Sequence, residues 1–345
     1  MPKLLIIRFS SLGNIAMTIP VIHSLAKQFP TLEIYYLSTR SYESLFINLP
    51  SNIKFITAGL RGIHKGFTGI NRLYDQLDGD HFDFVADFQS DLRSKYLRFR
   101  FKMSGSKTAV IQQGINEREE LIRKGSKKLE PIKTEFERYH DVLSKLGFKF
   151  KENFVSIFPQ NIESNSFFTT ITGEKSNKKW IGIAPFAKQK GKIYPLDLME
   201  KVISHFASNN HTTVFVFGGG DFERKIIDKW TERYPTIKSV VGKLNMSQEL
   251  VIISQMDIMC SMDSANMHLA SLVNVPVVSI WGSTHPYGGT MGWNQSLENA
   301  IQTDLPCRPC SSVFNEKKSC YRGDYACLYK IKPQAIIDHI EKLIL

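Results

Sequence analysis

The sequence predicts an α/β protein built from two doubly wound, Rossmann-like domains. Three observations carry the prediction. Short apolar runs alternate with helix-length amphipathic segments. That rhythm lapses over residues 151–179 and then starts again. The chain has 345 residues, too many for one ordinary core and suited to two of roughly 150 each.

In the first half, Leu4-Leu5-Ile6-Ile7 is a short apolar run fit for a strand buried on both faces of a parallel sheet. Ser10, Ser11 and Gly13 then turn the chain. A helix follows to Gln28, with Ile15, Ile19, Ile22 and Leu25 on one stripe and Pro20 as an expected kink. Further strands are expected at residues 34–37, 53–56, 84–86 and 108–111, and helices at 92–101 and 135–146. In the second half, strands are expected at 180–184, 213–217, 258–261 and 277–281, and helices at 196–207, 222–233 and 264–272. The expected domains are 1–165 and 176–330, with a final helix over 331–345 that suits either one. In such sheets ligands bind beyond the carboxyl ends of the strands, where tight turns meet helix N-termini.

Composition narrows the class. Hydrophobic residues make up 42% and charged residues 22%, which excludes wholesale disorder. The longest stretch without Asp, Glu, Lys or Arg runs from Ser264 to Leu297. It is broken by Pro276, Pro286 and the Gly288-Gly289 pair, so it is no bilayer span. Arg8 interrupts the first apolar run, so no signal peptide is read and a cytoplasmic protein is expected. Residues 1–150 carry 23 Lys and Arg against 15 Asp and Glu, a net +8; the rest carry 21 against 18, a net +3, within a total of +11. A basic first half points to an anionic partner: a membrane face, a phosphorylated glycolipid or nucleic acid.

Six constellations are candidates for chemistry. Ser10-Ser11-Leu12-Gly13-Asn14 leaves the first strand and opens the first helix, where backbone N–H groups can hold an anion. Gly218-Gly219-Gly220-Asp221 follows an apolar strand and allows close approach of backbone to ligand; a plain turn with Asp221 as helix N-cap reads equally well. Asp263-Ser264-Ala265 and His268 lie at a strand-to-helix junction, a natural seat for a diphosphate, although capping by Asp263 or Ser264 and a core His268 explain the same residues. Lys188, Lys190 and Lys192 precede a helix and can neutralise a leaving diphosphate; a solvated loop is the plain alternative. Asp87 and Asp91 flank a strand end and are candidate general bases, with capping as the alternative. Finally, Cys307-x2-Cys310-x9-Cys320-x6-Cys327 suggests a structural zinc site, with a second spacing wider than a standard ribbon. Cys260 reads as a buried strand residue.

Taken in order, these segments resemble the ADP-heptose:lipopolysaccharide heptosyltransferases of glycosyltransferase family 9. The resemblance rests on residues 5–20 with Ser-Ser-Leu-Gly-Asn-Ile-Ala-Met-Thr-Ile-Pro, on Lys192-x-x-Pro195, on Gly218-Gly219-Gly220, and on Asp263-Ser264-x-x-x-His268-Leu269-Ala270. Val275-Pro276-Val277, Trp281-Gly282-Ser283-Thr284-x-Pro286 and the cysteine-rich end complete it. It implies a GT-B fold whose two domains face a central cleft, the first taking a lipopolysaccharide core acceptor and the second a nucleotide sugar. It also implies inverting transfer of heptose from ADP-heptose with no required cofactor, and peripheral contact with the inner membrane. On this resemblance Ser10, Gly13, Lys188, Gly218, Gly219, Asp263, Ser264, Ala265 and His268 bind the donor, and Lys192 lies near the diphosphate.

Two positions depart from the family pattern. Asn14 stands where the resemblance implies an Asp general base, and an amide cannot take the acceptor proton. Ala265 stands where the family has Gly. A non-catalytic protein that binds nucleotide sugar or lipopolysaccharide is therefore the second reading. A nicotinamide oxidoreductase is disfavoured because the first turn lacks G-x-G-x-x-G, and no nucleic-acid recognition motif is present.

Overall fold

The computed structural model describes residues 1–125, 127–158, 166–312 and 319–344. The chain forms two compact units, one of Met1–Gln113 with Lys133–Ile157 and one of Gly114–Ile132 with Phe158–Leu345. The second unit thus includes residues 114–132, which lie within the span read from sequence as the N-terminal domain.

The first unit alternates strand and helix: β1 (Lys3–Ile7), α1 (Leu12–Gln28), β2 (Glu33–Ser38), β3 (Ile53–Thr57), α2 (Gly66–Asp78), β4 (Phe84–Asp87), α3 (Leu92–Met103) and β5 (Lys107–Val110). Next along the chain, α4 (Ile115–Ile122) falls in the second unit, and α5 (Glu135–Leu146) returns to the first. The five strands form one parallel sheet in the order β3-β2-β1-β4-β5. Helices on its faces bury both sides of β1, so Leu4, Leu5, Ile6 and Ile7 are all fully buried; each such side chain contributes roughly 1.5–3 kcal/mol. The strand order reverses between β1 and β4, and the loops that follow them meet there. Helix α1 runs from Leu12 to Gln28 with Pro20 inside it. Capping boxes start α3 at Asp91 and α5 at Thr134 with Glu137.

The second unit continues with α6 (Ser166–Thr172), β6 (Lys179–Ala184), α7 (Leu196–Ala207), β7 (Thr212–Val216), α8 (Gly220–Arg233), β8 (Lys238–Ser239), α9 (Met246–Ser254), β9 (Ile258–Met262) and α10 (Ala265–Leu272). It ends with β10 (Val277–Trp281), β11 (Ala300–Gln302), α11 (Ala326–Tyr329) and α12 (Pro333–Ile344). Its six strands are parallel, in the order β11-β10-β9-β6-β7-β8. The reversal lies between β6 and β9. The final helix belongs to this unit: Ile336, Ile337 and Ile340 join its core, and Glu341 accepts a hydrogen bond from His205 of α7 at 2.8 Å.

Candidate active site

The loops after β6, β9 and β10 converge at the carboxyl edge of the second sheet. Lys192 closes a short helical turn after β6 and is nearly buried, as is Asp263 at the end of β9. The Lys192 ammonium lies 2.8 Å from Asp263 Oδ2. The same oxygen accepts a hydrogen bond from Thr284 Oγ1 at 2.7 Å. A buried charge needs a partner, and Asp263 has two. Three segments far apart in sequence therefore meet on one carboxylate, and Lys192 is held at the strand edge rather than free in solvent.

Helix α10 begins beside this pair. Ser264 is its N-cap by position but gives no side-chain cap, which leaves the first-turn N–H groups without that partner, at the positive end of the helix. Ala265 is the first helical residue. Lysine, first-turn N–H groups and a neutralised carboxylate make a site suited to an anion such as a diphosphate.

His268, one turn into α10, is buried, and its Nδ1 has no hydrogen-bond partner. Burial pushes its pKa down to about 4; the Asp263 carboxylate opposes the shift and the Lys192 ammonium reinforces it. The imidazole is thus neutral in the fold at pH 7. The unfolded chain binds a proton near the ordinary value of 6.5, so stability from this group is complete above that value and is lost as pH falls toward 4. The full loss is about 3 kcal/mol. Melting temperature measured from pH 7 to 4.5 is expected to fall more steeply for the wild-type protein than for His268→Gln. Identical slopes would remove this role.

The loops meet so closely that glycine is required at two places. Ser283 N–H donates to the Gly191 carbonyl at 2.8 Å. A Cβ on Gly282 would lie 2.2 Å from that carbonyl oxygen, and one on Gly191 would lie 2.8 Å from Ser283 Oγ. We expect Gly282→Ala to destabilise the fold by about 1–3 kcal/mol or more. Gly219→Ala, with no atom within 4 Å of the added methyl, is the near-neutral control. Equal melting temperatures for the two variants would contradict this packing.

The remaining residues of the second unit are placed as follows. Gly219 is the N-cap of α8 and its N–H donates to Glu223 Oε2 at 2.7 Å; Gly220 has φ +79, a conformation that suits glycine. Asp221 lies inside the helix and is not the cap. Gly218 packs against Phe186 and Ile227. Lys188 is exposed. Cys260 is fully buried in β9, and burial pushes its thiol up to about 12, so it is a core residue. Cys307, Cys310, Cys320 and Cys327 are free thiols. Among the described residues no group of three or more His, Cys, Asp or Glu side chains is placed to hold a metal ion, so the zinc expectation finds no ligand set there. Residues 313–318, between Cys310 and Cys320, lie outside the described residues.

In the first unit, the loops after β1 and β4 are tied together. Gln89 Oε1 accepts from the N–H groups of Phe9 at 2.9 Å and Ser10 at 3.3 Å. Ser11 is the uncapped N-cap of α1, and Gly13 and Asn14 lie in its first turn, which contains no acidic residue. The Asn14 carbonyl accepts from Tyr139 at 3.3 Å; its amide side chain is half-buried and has no partner among the described residues. Asp87 is fully buried. Its Oδ1 accepts from the Gln89 and Ser90 N–H groups at 3.0 and 2.7 Å, and its Oδ2 pairs with Arg98 at 3.2 Å. Asp91 caps α3 and pairs with Arg93. Asp87 is thus a buried anchor of the loop after β4 and Asp91 a helix cap, and each is also paired with an arginine.

Two doubly wound parallel sheets, the second with the Lys192–Asp263 pair at its strand-order reversal, are the architecture of the GT-B fold. The chain belongs to glycosyltransferase family 9 (heptosyltransferase), whose profile matches residues 70–320. It is 24% identical over 327 residues to the lipopolysaccharide core heptosyltransferase OpsX of Haemophilus influenzae, covering 87% of this chain and 84% of that protein. It is 25% identical over 174 residues to lipooligosaccharide heptosyltransferase 2 of a Campylobacter jejuni strain, covering 49% of this chain. It spans about half the length, 52%, of that relative. The fold matches a Veillonella parvula family 9 glycosyltransferase with a TM-score of 0.76 at 18% identity, covering 99% of this chain and 97% of that one. Escherichia coli ADP-heptose lipopolysaccharide heptosyltransferase II matches with a TM-score of 0.68 at 15% identity, covering 99% and 98%.

Proposed function

We propose that this protein transfers heptose from ADP-heptose to the inner core of lipopolysaccharide, inverting the anomeric centre. The observation that carries the reading is the Lys192–Asp263–Thr284 junction beside the uncapped start of α10, in a chain of this family. In this reading the second unit binds the nucleotide sugar and the more basic first unit takes the acidic, phosphate-bearing acceptor. The acceptor hydroxyl oxygen bonds to the anomeric carbon as the bond from that carbon to the diphosphate oxygen breaks. The negative charge that develops on the departing ADP is stabilised by Lys192 and the α10 N–H groups. Gly219, with open space where a Cβ would stand, gives the nucleotide room to approach backbone. The acceptor places the work at the inner face of the membrane, with the protein held there peripherally; among the described residues no helix is long and apolar enough to cross a bilayer.

The acceptor proton needs a base, and Asn14 cannot serve. With Asp87 and Asp91 engaged, the acceptor proton passes to solvent water as the new bond forms, and we infer slow turnover for want of a positioned base. Asn14 also favours a second reading, a protein that binds the same ligands without turnover. Mass spectrometry of heptose-deficient lipopolysaccharide incubated with ADP-heptose and the protein separates the two. One added heptose supports transfer. An unmodified acceptor with bound ADP-heptose supports the binder, and an unmodified acceptor without donor binding overturns both.

A further inference from the structure

Helix α3 has two apolar faces, and only one of them is covered. Leu97 and Phe101 face inward and join the first unit's core. Leu92, Phe99 and Met103 are 85%, 59% and 73% exposed. At about 100° per residue these three lie within about 40° of one another on the wheel, opposite the buried pair. Phe67 of α2, 70% exposed, extends the stripe: its ring centroid is 4.8 Å from that of Tyr96. Single exposed apolar residues need no explanation, but an ordered stripe of them does.

The charges around the stripe say what covers it. Helix α3 carries Arg93, Lys95, Arg98, Arg100 and Lys102 and no acidic residue. Arg93, Arg98 and Arg100 pair with Asp91, Asp87 and Asp75. Lys95 and Lys102 are exposed, run along one margin of the stripe, and have no acidic partner among the described residues. An apolar ridge edged by unpaired lysines fits the headgroup region of an anionic bilayer, where the rings and Leu92 enter the acyl boundary and the ammonium groups meet lipid phosphates. Antiparallel pairing with a second copy would bring the lysine margins together, which like charge opposes.

We propose that the outer face of α3, with Phe67, docks this protein on an anionic lipid bilayer. The choice of a membrane rests on the acceptor reading above, but vesicle binding is measured without turnover, so the two fail separately. The test is co-sedimentation with phosphatidylcholine vesicles, with and without phosphatidylglycerol. The wild-type protein is expected to bind the anionic vesicles about tenfold or more tightly than the neutral ones. The triple variant Leu92→Ser, Phe99→Ser, Met103→Ser is expected to lose about tenfold or more of that binding with an unchanged melting temperature. Phe99→Ser alone and Lys95→Ala with Lys102→Ala should each lose part of it, which keeps the test decisive if the triple variant folds poorly. Wild-type binding that survives in all three variants overturns the proposal, as does absence of vesicle binding. A wild-type dimer in sedimentation velocity that Phe99→Ser converts to monomer would show that a second copy covers this face, and would overturn it too.

Discussion

Lys192→Ala is expected to lower turnover by about 10²–10³-fold, the usual cost of removing one preorganised group from a developing anion. The loss should fall mainly on kcat, because charge on the departing diphosphate grows toward the transition state. The same substitution has a structural cost. Asp263 is buried and would keep only the Thr284 hydroxyl, and breaking a buried ion pair from one side costs about 3–5 kcal/mol. Adding Asp263→Asn removes the stranded charge. The double variant should regain part of the stability and none of the turnover, measured by thermal unfolding and by ADP release. Turnover that recovers along with stability would make Lys192 a structural lysine only.

Asn14→Asp is expected to raise turnover, by as much as the ~10²–10⁴-fold contributed by a positioned general base. The site is ready for it. Position 14 is the third residue of α1, its side chain is half-buried and unpartnered, and no acid occupies the first turn. A carboxylate there also meets the positive end of the helix, worth about 0.3–1 kcal/mol, so a small rise in melting temperature should accompany the faster ADP release. A stabilised variant with unchanged turnover would move the base elsewhere.

Much of the fold was legible because it repeats one pattern. The runs at 4–7 and 277–281 are strands, with the first observed from Lys3, and 135–146 and 196–207 are the observed limits of α5 and α7. Helix α2 escaped although Ile70, Leu73, Tyr74 and Leu77 mark a helical stripe; its glycines and polar residues hid the period. The edge strands β8 and β11 have two and three residues, too few to show alternation. Helix α6 lies within the stretch read as aperiodic, and α4 and α9 are short helices whose apolar positions do not form a long stripe.

At the site, motif order pointed to Lys192, Asp263 and His268, but no spacing could show that Lys192 and Thr284 share one carboxylate oxygen of Asp263. That is a fact of sheet order, which brings β6, β9 and β10 side by side. Asp87 and Asp91 looked alike in sequence as acids at a strand end. Only the hydrogen bonds distinguish a buried anchor of a loop from a helix cap. Thr284 itself was visible within the Trp281-Gly282-Ser283-Thr284 segment, without a role.

Titration calorimetry of ADP-heptose onto the wild-type protein, with ADP and NADH as competitors, tests the central claim that the second unit is a nucleotide-sugar site. Saturable binding of ADP-heptose, displaced by ADP and untouched by NADH, is the predicted result. No binding by folded protein, or displacement by NADH in preference to ADP, would contradict it.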